Sequence, residues 1–432
     1  LLPWDPVHPR TLALILAATL AAAAAHAASR PSWNTGKGFF VLNATVYDAN
    51  GVEFRIRGLN HTHWWGSNNE AAIAEIAKAG PNTVRVVFGP DMGAQTTSER
   101  EAVVKQYVGL KIVPMVEYHS GTCKTDAASL ESIVDLWVGP DAAWLKTHER
   151  EVMLNIANEW GPTDAGWRDA YKTAITRIRG AGINNLLVVD AGGCGQNIDT
   201  IINWGQEVFD HDPQRNVVLS IHMYGLWRDP GHADVGSWDG RQPYDIDAEL
   251  KTVTGKGLPL IVGEFSWQEG NDVGYTTKTA IQTYEKHNVG WIAWSWNQNS
   301  DAKLDMVHGY QYSSAADLTP FGDLVINDSA LGLATLAQTA SIFTGVTDAG
   351  TPGTDGGVGP AEAGPAGDGS LPGPTSDGGG APGTDAAPGA AAADALQGAC
   401  SYGGTSAPAT PVGLACLLVG LLALLSRRRR PR

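Results

Sequence analysis

Val152-Met153-Leu154-Asn155-Ile156-Ala157-Asn158-Glu159-Trp160 is an apolar run that ends abruptly on an amide, a carboxylate and an indole. Its first six residues are too few for a helix and show no helical spacing, so they read as a buried strand. Seven runs of the same kind flank it: Phe54 to Gly58, Thr83 to Phe88, Ile112 to Tyr118, Leu186 to Asp190, Val217 to His222, Leu258 to Gly263 and Trp291 to Ser295. Stretches with 3.6-residue spacing lie between them, among them Glu70 to Ala79, Ala165 to Ile178 and Thr276 to His287. Strands that alternate with helices form a parallel sheet, and eight of them in roughly 300 residues close naturally into a barrel. The expected fold class is therefore α/β, a (β/α)8 TIM barrel over residues 33–344. A doubly wound open sheet is the alternative. It would normally carry a glycine-rich phosphate loop after its first strand, and Arg57-Gly58-Leu59-Asn60 is not one.

The ends of the chain read differently. Thr11 to Ala27 is apolar and alanine-rich, follows Arg10 and closes on Ala25-His26-Ala27. A basic residue, an apolar stretch and an A-x-A site read as a secretory signal, residues 1–27. Residues 345–399 are mainly Gly, Pro, Ala, Thr and Asp, with no Lys, Arg or aromatic residue from Gly345 to Gln397. Such a segment buries too little apolar area to offset its ordering entropy, and is expected to be a disordered linker. Residues 400–432 hold Cys400, an apolar run from Val412 to Leu425 and Arg427-Arg428-Arg429-Arg430. That order resembles the C-terminal sorting signals of myxobacterial surface proteins, with a plain hydrophobic anchor as the other reading. Both imply a secreted or cell-surface protein that meets a membrane only through this tail.

A net charge of −15 with a pI near 5.1 argues against nucleic acid as a partner. A neutral substrate fits better. Fifteen tryptophans suit stacking on sugar rings, but equally suit a tryptophan-rich core.

Barrel enzymes build their sites at the C-terminal ends of the strands. Polar residues collect there: Arg85 in strand two, His119 after strand three, Asn158-Glu159 after strand four, His222 and Tyr224 at strand six, Glu264 at strand seven, and Trp294 and Trp296 at strand eight. Two carboxyls at one barrel mouth suit glycosidic cleavage, one protonated to assist the leaving oxygen and one ionised to attack the anomeric carbon. Singly, either glutamate could as well be structural, capping a neighbouring helix.

Taken in order, Arg85, His119, Asn158-Glu159, His222-x-Tyr224, Glu264 and Trp294 resemble glycoside hydrolase family 5. Gly38-Phe39-Phe40-Val41, Arg57-Gly58-Leu59-Asn60-His61, Ser220-Ile221-His222-Met223-Tyr224 and Val262-Gly263-Glu264-Phe265 narrow the resemblance to its bacterial endo-β-1,4-mannanase branch. The resemblance implies that Glu159 is acid/base and Glu264 nucleophile, without cofactor or metal. Arg85 and Tyr224 would hold Glu264 ionised and oriented. Asn158 would bind the sugar 2-hydroxyl, and His222 and His119 would position Glu159 and the sugar. Trp294 would be the platform beneath the sugar, with Trp296, Trp160 and His61 as further cleft residues. A monomer acting on a mannan-type β-1,4-linked polysaccharide is expected. An endo-β-1,4-glucanase and a non-catalytic carbohydrate-binding protein are the alternatives.

The sequence departs from that branch in two places. His119-Ser120 stands where relatives commonly have His-Asp, and Gly192-Gly193-Cys194-Gly195-Gln196 replaces a loop that often carries Trp. Cys123 and Cys194 fall on the loops after strands three and five, on one barrel face, and in an exported protein are expected to form a disulfide. His61 and His63 share a strand face, as metal ligands can, but no third ligand is evident, and no metal is expected.

Overall fold

The computed structural model describes residues 27–65, 68–89, 95–229, 242–269 and 274–345. All but the last residue of the expected signal, the linker beyond Gly345 and the C-terminal tail lie outside the described residues. Among those described, no helix is long and apolar enough to cross a membrane.

Eight strands form a closed parallel barrel: β1 Arg57–His61, β2 Thr83–Phe88, β3 Val113–Tyr118, β4 Met153–Asn155, β5 Leu187–Asp190, β6 Val217–Met223, β7 Leu260–Phe265 and β8 Gly290–Ala293. β8 closes on β1 by pairing Trp291 with Arg57 and Ala293 with Leu59. The expected barrel is the one present, and the open sheet is excluded. The first strand differs from the expected Phe54 to Gly58, because its ladder begins only at Arg57. Phe54 and Ile56 instead plug the barrel floor, buried with Phe39, Val113, Met115, Met153, Val188, Val218, Ile261 and Ile292. A hairpin, Phe40–Leu42 paired with Thr45–Tyr47, covers this end. Its Asn43 and Ala44 both have positive φ, as a two-residue turn requires.

Side chains alternate across a strand, and this alternation builds the interior. Val113, Met115 and Glu117 point inward along β3, as do Met153 and Asn155 along β4, Val188 and Asp190 along β5, and Val218, Ser220 and His222 along β6. The opposite parity, including Val116, Leu154, Leu187, Val189, Leu219 and Ile221, packs outward in the main core with the helices. The inward set is therefore apolar at the floor and polar at the C-terminal mouth. Side-chain caps set the helix starts. Asp164 accepts from Gly166 N at 2.8 Å before the helix Ala165–Gly180, and Thr96 and Glu99 form a capping box before Thr97–Gly109.

Candidate active site

Glu159 follows β4 in a left-handed conformation, φ 48°, which is costly for a residue with a side chain and needs support. Its N–H donates to Asp190 Oδ2 at 3.0 Å, and its carbonyl accepts from Cys123 N–H at 3.2 Å. Trp160, next in sequence, donates its indole N–H to Asp126 O and Ser129 Oγ and so anchors the turn from outside. Glu264 is aimed by a bulge. The β6–β7 register pairs Val262 with Ile221 but Glu264 with His222, so one residue of β7 is extra at Gly263. A Cβ at Gly263 would lie 2.3 Å from Ser220 Oγ, which is why glycine stands there.

These two turns bring the glutamates together. An oxygen of Glu159, one of Glu264 and a nitrogen of His222 all lie within 4.8 Å of one another. Such a separation matches the ~5–5.5 Å of a double displacement and leaves no room for the water an inverting pair holds at ~6.5–9.5 Å. Both Glu264 oxygens already accept strong donors, Oε1 from Arg85 Nη1 at 2.8 Å and Oε2 from Tyr224 OH at 2.7 Å. His222 Nδ1 lies 3.0 Å from Glu159 Oε1 and 3.4 Å from Glu264 Oε2. Three potential ligand groups thus converge, but both Glu264 oxygens and Glu159 Oε1 are committed to protein partners rather than splayed around a cavity for a cation.

Arg85 organises the rest. Its guanidinium donates to Asn155 Oδ1 at 2.9 Å, Asn60 Oδ1 at 3.0 Å, Glu264 Oε1 at 2.8 Å and Asn158 Oδ1 at 2.6 Å. Glu117 Oε1 and Asp190 Oδ2 lie 3.6 Å from it. Burial alone would lower the basicity of Arg85, but the surrounding carboxyls outweigh it and raise it above the usual value. Four buried carboxyls against one guanidinium cannot all be ionised cheaply. Burial first, then the carboxyls of Glu264 and Asp190, push Glu159 well above the ordinary carboxylate range, and Arg85 opposes this only in part. Burial also raises Asp190. It lowers His222 to about 3, so the imidazole is neutral at ordinary pH. One glutamate therefore holds a proton while the other is cradled by a cation and a hydroxyl.

The remaining expected residues divide. His119 joins the site, with Nδ1 3.0 Å from Glu117 Oε1 and its ring stacked 5.4 Å from Trp294 at 18°. Asn158 Nδ2 donates to Thr122 Oγ1 at 2.8 Å, so both ends of its amide are fixed. Trp294 is at the mouth but only 1% exposed, beneath His119 and Trp65. Trp65 is the partly exposed indole of this cluster, 5.2 Å from His119. Three residues expected in the cleft are elsewhere. Trp160 and Trp296 are buried in the main core, Trp296 donating to Tyr310 O at 3.0 Å. His61 lies on the outer face of β1, its Nδ1 2.8 Å from Tyr107 OH, because Asn60 takes the inward position. His63 shares that outer face and reaches Glu70 at 3.4 Å.

Cys123 and Cys194 are joined by a disulfide that ties the loops after β3 and β5. Cys123 Sγ is 4.0 Å from Glu159 Oε2 and, having no proton, leaves that oxygen without a competing donor. Gly195, at φ 72°, lets the loop close down, since a Cβ there would lie 2.9 Å from the His222 ring and 3.0 Å from Glu159 Cγ. Sequence reasoning missed Asn60, Glu117, Asn155, Asp190, Thr122 and Trp65.

A buried acid facing a second carboxyl at this distance, on the C-terminal mouth of a barrel, is the equipment of glycosidic cleavage, and the molecule is a glycoside hydrolase. The chain belongs to glycosyl hydrolase family 5, the cellulase family, whose model matches residues 47–300. It is 37% identical over 322 residues to a mannan endo-1,4-beta-mannosidase of Streptomyces lividans, covering 71% of this chain and 78% of that protein. With the mannan endo-1,4-beta-mannosidase of Salipaludibacillus agaradhaerens it shares 33% identity over 71% of this chain and 96% of the relative. The mannohexaose complex of the beta-mannanase of Thermomonospora fusca superposes with a TM-score of 0.62 at 32% identity, covering 71% of this chain and 99% of that one.

Proposed function

We propose that the protein is an endo-acting, retaining β-1,4-mannanase. The observation that carries this is the Glu159–Glu264 pair, within 4.8 Å of each other and of His222, with burial raising the pKa of Glu159 towards the neutral acid and with Glu264 cradled by Arg85 and Tyr224. Its relatives named for mannan support the choice of sugar. In the first step a Glu264 oxygen bonds to the anomeric carbon, the glycosidic C–O bond breaks, and the Glu159 proton passes to the departing oxygen. In the second, Glu159 takes a proton from water, whose oxygen bonds to the same carbon and releases Glu264. Asn158 and His119 lie at the strand ends below the sugar, and Trp65 is its aromatic side, with Trp294 packed beneath. The signal, linker and tail read from the sequence favour export and tethering at the cell surface.

Release of reducing sugar from glucomannan, galactomannan and carboxymethylcellulose, with Glu264→Ala as control, tests this reading. Activity on both mannans that is abolished in the variant is expected. Activity confined to the cellulose derivative overturns the mannan assignment, and unchanged activity in the variant overturns the mechanism.

A further inference from the structure

Asp190 ends β5 at the centre of the polar layer and is fully buried, so it does not touch substrate. Asn155 Nδ2 donates to its Oδ1 at 3.2 Å, and the Glu159 amide to its Oδ2 at 3.0 Å. The same Oδ2 lies 3.5 Å from His222 Nε2, which is buried and makes no hydrogen bond to another described residue. The opposite ring nitrogen, Nδ1, sits between Glu159 Oε1 and Glu264 Oε2.

Two arrangements of protons fit these positions: Glu159 donates to Nδ1 while Nε2–H donates to Asp190, or Nδ1 donates to Glu159 Oε1. The second keeps a donor, rather than a lone pair, beside the Glu264 oxygen that Nδ1 also faces. A neutral ring that donates from Nδ1 presents a lone pair at Nε2. A lone pair aimed at a carboxylate oxygen is repulsive, and a proton on Asp190 Oδ2 removes the repulsion. The groups around the ring are Glu159, Glu264, Arg85, Glu117, His119 and Asp190, and only Arg85 among them is permanently cationic, so a second neutralised carboxyl also relieves the excess of negative charge.

We propose that Asp190 is a positioning residue for the acid/base and acts on it from two sides. Its Oδ2 pins the Glu159 amide and so maintains the left-handed turn. The proton it directs at His222 Nε2 keeps the ring proton on Nδ1, where it is donated to Glu159 Oε1. Glu159 Oε2 is then the oxygen that carries the acid proton to the departing sugar. This rests on the acid/base reading of Glu159, but its tautomer can be measured on the free enzyme.

Asp190→Ala and Asp190→Asn separate the roles. The alanine variant is expected to lose about 100-fold in kcat/KM on mannan, as misplaced catalytic groups do. A dinitrophenyl β-mannobioside, whose leaving group departs without a proton, should fall by less than about fivefold in kcat/KM. Asparagine with its oxygen at the Oδ2 position still accepts from the Glu159 amide but cannot donate to Nε2 from the same atom, so it should keep the turn and recover only part of the loss on mannan. Nitrogen-15 shifts of His222 should report a proton on Nδ1 in the wild type and on Nε2 in the asparagine variant, whose amide oxygen faces that nitrogen. The proposal is overturned by a proton on Nε2 in the wild type, by equal loss on both substrates in the alanine variant, or by an asparagine variant no better than alanine. If alanine does not fold, the wild-type tautomer and the asparagine variant decide alone. A wild type inactive on every mannan counts against the function proposed above, while the tautomer still decides the role of Asp190.

Discussion

Replacing Arg85 with lysine keeps a positive charge at the centre of the site and removes the planar fork. The guanidinium satisfies four buried acceptors, Asn155, Asn60, Glu264 and Asn158, from three nitrogens. An ammonium has three donors on one atom and cannot reach oxygens spread around a plane. If lysine keeps the Glu264 contact, one or two buried amide oxygens are stranded, at about 1–3 kcal/mol each. Stability measured by urea unfolding should therefore fall by about 2–5 kcal/mol. Asn158 loses the donor that orients its amide, and a displacement of about 1 Å there should lower kcat/KM on glucomannan about 100-fold. Wild-type stability together with kcat/KM within about threefold of wild type would refute the claim that the fork holds this layer together.

Four further outcomes follow from the same geometry. Glu159 has its folded-state pKa raised, so the stability it contributes is present below the unfolded value and lost as pH rises through the folded one. Glu159→Gln should therefore melt above the wild type in mildly alkaline buffer, with the gap narrowing below about pH 4.5; a constant gap would contradict this. His222 is depressed to about 3, so its contribution is present above about pH 6.5 and is lost as pH falls towards the folded value, a slope that His222→Asn should flatten in pH-dependent unfolding. Trp65→Ala should raise KM about 3–10-fold by loss of sugar stacking, whereas Trp296→Ala should lower stability by about 3–5 kcal/mol, each read by kinetics and unfolding of both variants. Replacing Cys123 and Cys194 by serine frees loops 71 residues apart in sequence. That should cost up to about 4 kcal/mol in urea, and an unchanged midpoint would show that the bond adds nothing.

The barrel was legible because its strands are short apolar runs closed by polar residues, and Glu159, Glu264 and Arg85 stood at or near those ends. The first strand begins later than its apolar run suggests because Phe54 and Ile56 are as apolar as a strand but serve the floor. Asn155, Glu117 and Asp190 are inconspicuous because they lie inside or beside apolar runs, where only the alternation Val113-x-Met115-x-Glu117, Met153-x-Asn155 and Val188-x-Asp190 marks them as inward. The same parity rule, applied to Asn60-His61, would have sent His61 outward. Tryptophans resist such sorting: Trp160, Trp296 and Trp65 look alike in sequence, and only packing separates two core residues from one at the mouth.

The double displacement itself is tested most directly by the anomeric configuration of the first product. Proton NMR of mannohexaose hydrolysis, recorded before mutarotation, should show the β-anomer at the newly formed reducing end. Initial release of the α-anomer would mean direct attack by water and would contradict a nucleophilic Glu264.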